Sequence, residues 1–143
     1  MSMSNISQTG SVEQSIVPAV LTSTTTGTGI AVTGFRSLLA VLTVGAVSAV
    51  GDETCDVKLQ DSDAVGGTYA DITGATFTQI TAAPSPVTDV TFVEVDLLPR
   101  NAFVRAVATI AGSTPTFAMG VSFVLYNAVD SSYSGTADAT VVT

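Results

Sequence analysis

Phe117-Ala118-Met119-Gly120-Val121-Ser122-Phe123-Val124-Leu125-Tyr126 is the stretch on which the fold turns. Phe117, Met119, Val121, Phe123 and Leu125 alternate without a break against Ala118, Gly120, Ser122, Val124 and Tyr126. Successive side chains of a strand point to opposite faces, so this period of two commits the first set to a core. Upstream, Ala102, Val104, Ala106, Ala108 and Ile110 form a second apolar set of mostly smaller residues, alternating with Phe103, Arg105, Val107 and Thr109. Gly112-Ser113-Thr114-Pro115 separates the two runs as a tight turn. Residues 101–128 are therefore expected to form a central hairpin, with the other strands laid around it.

Those other strands follow from the same period. Residues 16–22 contain Pro18, which cannot donate to a ladder, so this is an edge strand or Pro18 is near its start. Residues 23–28 read as a Thr-Gly turn region and 29–33 as a short strand. Residues 36–49 are apolar on both faces, with Leu38, Ala40, Leu42 and Val44 on one and Leu39, Val41 and Val47 on the other. Such a strand lies centrally in a sandwich or against a second subunit. Gly45 marks a bulge or a bend within it. Residues 51–54 turn the chain. Residues 55–62 then place Val57 and Leu59 inward, and Asp56, Lys58 and Gln60 outward. After a turn at 64–67, residues 68–72 return with Tyr69, and 76–81 form a further short strand. Pro84 and Pro86 make 82–88 a rigid extended loop. In 89–97, Val90, Phe92, Glu94 and Asp96 share one face, with Thr91, Val93, Val95 and Leu97 on the other. Eight or nine strands with regular turn signals favour a sandwich, jelly roll or barrel. Residues 1–15 and 129–143, the latter with Tyr133 and Val141-Val142, are polar and read as arms flanking a domain at 16–128.

Composition limits what such a domain does. The chain has 143 residues, four of them basic and twelve acidic, for a net charge of −8. That balance argues against phosphate-mediated binding of nucleic acid and against docking on anionic lipid. There is no histidine, the commonest general base and metal ligand, and no tryptophan. One cysteine, Cys55, makes no internal disulfide. Residues 1–15 lack a basic region followed by an apolar one, so a secretory signal is not expected. The most apolar run, 38–50, is too short for a membrane helix. Charged residues are only 11% of the chain, low for a free monomer's surface, which suggests that partners cover much of the outside.

The candidate chemical groups are few. Asp61 and Asp63, with Asp71 across a hairpin, are the one set that could converge on Ca²⁺, although they lack a calcium-loop spacing and read more simply as acids solubilising a turn. Glu94 and Asp96 share a strand face, as paired carboxylates of glycosidases do, but nothing beside them marks a sugar groove. Cys55 has no histidine to activate it, and Lys58, the only lysine, has no serine placed beside it. Gly27-Thr28-Gly29 and Gly66-Gly67 do not sit between a strand and a helix, so they are turn glycines rather than phosphate cradles. Arg105 interrupts an apolar face. It either lies at a sheet rim or, as we favour, pairs with an acid across an interface. No catalytic residue, metal or cofactor is expected.

Two segments carry a resemblance. Val57-Lys58-Leu59-Gln60-Asp61-Ser62-Asp63, a turn, and Thr68-Tyr69-Ala70-Asp71-Ile72-Thr73-Gly74-Ala75 resemble a hairpin of small virion proteins of tailed bacteriophages. Arg100-Asn101-Ala102-Phe103-Val104-Arg105-Ala106-Val107-Ala108-Thr109 is similar to the strand that follows there, which also leads through a Gly-Thr-Pro turn into an apolar strand. The resemblance covers about half the chain and fades in both arms. It implies an antiparallel β-sandwich of jelly-roll type and a capsid decoration, or cement, protein. Such proteins bind the outer face of the major capsid protein shell, usually as dimers or trimers, and brace it against internal DNA pressure. The expected location is the virion surface, after assembly in the host cytoplasm. The alternatives are a connector, tail or fibre component, or a carbohydrate-binding sandwich, for which Tyr69, Tyr126 and Tyr133 are the available stacking residues.

Overall fold

The computed structural model describes residues 10–47, 51–81 and 89–129, and within them the chain is all-β. Ten strands follow in order: β1 (Ser11–Leu21), β2 (Thr25–Thr26), β3 (Ile30–Ala31), β4 (Phe35–Val47), β5 (Thr54–Ser62), β6 (Ala70–Thr76), β7 (Ile80–Thr81), β8 (Asp89–Asp96), β9 (Phe103–Ala111) and β10 (Phe117–Ala128). They form two antiparallel sheets. The front sheet runs β1-β10-β4-β8, and the back sheet runs β2-β9-β5-β6. In the back sheet β3 continues β2 along β9, and β7 continues β6 along β5, so each of those two edges is one interrupted strand. The result is an eight-stranded jelly roll. The chain passes from one sheet to the other at every step except β5 to β6, which form a hairpin.

This connectivity corrects the central hairpin. Both strands at 101–128 exist, but they do not pair: β9 lies between β2/β3 and β5, and β10 lies between β1 and β4. Five residues join Ala111 to Phe117, and three extended residues already span the ~10 Å between packed sheets. The short turn is therefore an arch between sheets. Two acids of the β4–β5 connection hold it. Asp52 accepts hydrogen bonds from Ser113 N (3.2 Å) and Ser113 Oγ (2.6 Å). Buried Glu53 accepts from Thr114 Oγ1 (3.3 Å) and from Gly51 N (3.0 Å). Gly112 has φ of 121°, and a Cβ there would lie 2.7 Å from Glu53 Cα, so the arch requires glycine.

The core is one cluster between the sheets. Phe117, Met119, Val121, Phe123 and Leu125 of β10 are buried there, as expected, with Leu38, Ala40, Leu42 and Val44 of β4. The back sheet contributes Cys55, Val57 and Leu59 of β5, and Val104, Ala106 and Ala108 of β9. Bulky side chains of the front sheet thus meet mostly smaller ones of the back sheet, which lets the two layers fill the space between them. The bulge expected at Gly45 is present: Gly45 and Ala46 lie between Val44 and Val47, opposite Ala118 alone between Met119 and Phe117.

The N-terminal boundary also needs correcting. Residues 11–15, expected within an arm, belong to β1 and pair with β10. Two register shifts interrupt the pairing, between Gln14 and Ile16 and between Ile16 and Ala19 around Pro18, which lies on an edge strand as its chemistry demands. The first shift turns both Ser15 and Ile16 inward. Ser15 Oγ donates to Thr28 O (2.9 Å) and accepts from Ala106 N (2.8 Å), tying the front edge to the back sheet. A Cβ on Gly27 would lie 2.5 Å from Ser15 Oγ, so this crossing also depends on a glycine. At the other end β10 stops at Ala128. The loop at 82–88, the arm at 130–143 and residues 1–9 and 48–50 lie outside the described residues.

Candidate interaction surface

The outer faces of the two sheets are chemically unlike. On the back sheet, Lys58 Nζ donates to Asp71 Oδ2 (2.7 Å) and Gln60 Nε2 to Asp71 Oδ1 (2.7 Å). Arg105 donates through Nε (3.0 Å) and Nη2 (2.8 Å) to Gln60 Oε1, and its guanidinium lies 3.9 Å from the Tyr69 ring centroid. Gln79 Nε2 donates to both carboxylate oxygens of Asp56. These bonds form a polar lattice across β9, β5 and β6. The hydrogen bond from Lys58, reinforced by that from Gln60, holds the Asp71 carboxyl below its ordinary value.

On the front sheet such contacts gather at one end, where Asn127 Nδ2 donates to Ser37 Oγ (2.9 Å) and Tyr126 Oη to Glu94. Directly paired residues share a face, so the register lists its outward rows. Val12, Val124, Leu39 and Glu94 make one row; Gln14, Ser122, Val41 and Phe92 the next; then Gly120, Thr43 and Val90; then Val20 and Ala118. Val12, Val20, Val90 and Phe92 are each 61–68% exposed. A further row, Tyr126, Ser37 and Asp96, is polar; the outward acids Glu94 and Asp96 both lie on β8, where Asp96 Oδ1 accepts from Leu98 N (3.0 Å). An antiparallel sheet with one buried face ordinarily alternates apolar with polar. Apart from Gln14, Ser122, Thr43 and its polar end, this one is apolar on both faces.

The front face also has relief. Pro18, in the second shift of β1, lies over β10, so that a Cβ on Gly120 would come 2.8 Å from Pro18 Cγ. Beside it runs a cavity of about 440 Å³ lined by Val20, Thr43, Gly45, Ala118 and Gly120, among others. Glycine and alanine leave the trough open. Phe92 stands proud at the opposite edge. Pattern reading put Phe92 on one face with Val90, Glu94 and Asp96 and read the 36–49 strand as two-sided, but it did not find the trough. The trough depends on the displacement of Pro18, which follows from a bulge rather than from periodicity.

The other candidates are dispersed. Asp61 is buried, accepts from Asn101 N (3.2 Å) and lies 4.0 Å from Arg100. Asp71 pairs opposite Gln60 on the outer face, one position out of phase with Asp61, and Asp63 is exposed in the following loop. The three acids do not converge, and no cluster of metal-ligating side chains occurs among the described residues. Glu94 and Asp96 are exposed and bonded as above. Cys55 is fully buried, its thiol 3.6 Å from Met119 Sδ, and burial, with a smaller push from Asp56, raises its pKa to about 12. Arg105 is held by Gln60 and Tyr69 within the chain rather than set out for an acid on a neighbour. Tyr69 is covered by that guanidinium, and Tyr133 lies outside the described residues. Among the described residues, no helix is long and apolar enough to cross a membrane. No family model matches the chain, and no curated protein matches it in sequence.

Proposed function

We propose that this chain is a structural virion protein of a tailed bacteriophage, a decoration or cement protein that binds the outer surface of the capsid and stabilises the shell. The observation that carries the reading is a jelly roll with one sheet largely apolar on both faces, Val12, Val20, Val90 and Phe92 being exposed on the outer one. A solvated monomer gains nothing from such a face, whereas a protein packed against neighbours does. The resemblance of 57–75 and 100–109 to small phage virion proteins points the same way, and the fold is one that viral capsid proteins use. In this reading the partners are the major capsid protein and further copies of the chain, the location is the virion surface, and the protein carries out no catalysis. Many weak attachments around a shell give retention without a tight single contact.

Quantitative mass spectrometry of purified virions tests this. A copy number comparable to that of the shell's own subunits is the expected result. A few copies per particle would move the protein to a connector, tail or fibre, and its absence from particles would end the proposal.

A further inference from the structure

We infer that the outer edge of β8 is a strand-addition site, which takes an extended segment of another protein with basic residues at alternate positions. The inference concerns this edge alone and stands whether or not the protein decorates a capsid.

The main chain sets the site. Leu97 N donates to Arg36 O (2.8 Å), one step beyond the pair of Ser37 and Asp96. Antiparallel pairs alternate between those that exchange both hydrogen bonds and those that exchange none. Val95 and Val93 therefore bond to β4, whereas Phe92, Glu94 and Asp96 turn their N–H and C=O groups away from it. No strand lies beyond β8 among the described residues. The other sheet edges are broken. β1 carries Pro18 and two register shifts, β2 and β3 are two residues each, and β6 and β7 are separate pieces along β5. β8 pairs with β4 over all of its 8 residues without a shift. Among the described edges it alone offers a regular ladder to an incoming strand.

The side chains select the occupant. A residue paired opposite Glu94 or Asp96 lies on the outer face beside a carboxylate, where Lys or Arg is favoured. One opposite Phe92 meets an exposed ring, which suits an apolar side chain. The alternate residues turn inward, toward a cavity of about 260 Å³ between β8 and β6, lined by Thr73, Gly74, Val95, Asp96 and Arg100, among others. This sequence supplies no such segment. Its four bases are Arg36, Lys58, Arg100 and Arg105. Arg36 lies in β4, Lys58 in β5 and Arg105 in β9, all strands inside the sandwich, and Arg100 lies in the β8–β9 connection, 4.0 Å from Asp61. A second copy brings no further base to the edge, so charge complementarity points to a different protein. Main-chain bonds supply the affinity of such an addition, and the alternating side chains its specificity.

NMR titration of the isotope-labelled full chain tests this, with no capsid present, so its outcome is separate from that of the virion experiment. The probes are three short acetylated peptides. One alternates Lys with Val, one alternates Glu with Val, and the third is the Lys–Val peptide with its central Val replaced by Pro, which keeps the charge but breaks the ladder. The Lys–Val peptide is expected to bind at least about tenfold more tightly than either of the others. It should also protect the amides of Phe92, Glu94 and Asp96 from exchange. E94P removes an outward N–H that bonds to nothing in β4, so it should fold and should weaken the binding by at least about tenfold. Should E94P fail to fold by circular dichroism, amide protection in the wild type decides. No binding of the Lys–Val peptide, equal binding of its Pro-interrupted form, binding that leaves those three amides unprotected, or a folded E94P that binds like the wild type would overturn the inference.

Discussion

Cys55 shows how little of the chemistry at a residue is visible without its surroundings. As the one thiol of the chain it invites a reactive role, but its burial against Met119 keeps it protonated. Thiolate, not thiol, is the nucleophile. Native protein should therefore resist alkylation at pH 8, and unfolded protein should take up one equivalent, as mass spectrometry would read. The same burial sets a pH dependence. The folded pKa of about 12 lies above the thiol's ordinary 9.0, so the unfolded state loses its proton first as pH rises. Stability linked to this group is complete below about pH 9 and is lost as pH rises toward 12. Thermal melts across that range should fall more steeply for the wild type than for C55A. Asp71 and Asp52 have the opposite sign. Hydrogen bonds from Lys58 and from Ser113, respectively, lower their pKa, so their contribution is present above about pH 3.8 and fades as pH falls through the folded values.

Among the elements, β1 is the most instructive, because its outer half did not look like a strand. Ser11, Glu13, Gln14 and Ser15 are polar, and the first shift in register puts Ser15 and Ile16 on the same side, which breaks the period of two. A pattern that assumes strict alternation ends the strand there. The structure instead uses Ser15 as a cross-sheet tie. S15A should cost about 1–3 kcal/mol in denaturant unfolding, since the buried N–H of Ala106 loses its acceptor. Deletion of residues 1–15 should destabilise the domain rather than merely trim an arm, which melting temperature would show. Where alternation was strict, in β5, β8, β9, β10 and β4 as far as Val44, the two faces were legible from sequence; beyond the Gly45 bulge Val47, expected on the face of Leu39 and Val41, turns into the core instead. Periodicity reports which way a side chain points. It does not report which strand lies alongside, and so β9 and β10 looked like a hairpin. Only Gly112 and the Asp52-Glu53 pair distinguish their turn as an arch, and those contacts come from a segment about 60 residues away.

For the whole molecule, the sandwich class and the two-sidedness of β4 could be read from sequence, whereas the contrast between the outer faces could not. That contrast needs the register, which places Phe92, Val41, Val124 and Val12 on one surface from four separate strands. The pairing of β1 with β10 has a further consequence, in time rather than space. The first and last of the described strands are neighbours, and β10 supplies the middle of the front sheet. While a ribosome is still making the chain, β1 and β4 have no strand between them, and their apolar side chains wait in water. Contacts between distant parts of a chain form slowly. Refolding in stopped-flow should accordingly take milliseconds to seconds rather than microseconds, and a nascent chain arrested before Phe117 should remain sensitive to protease. The described sandwich closes only when β10 arrives.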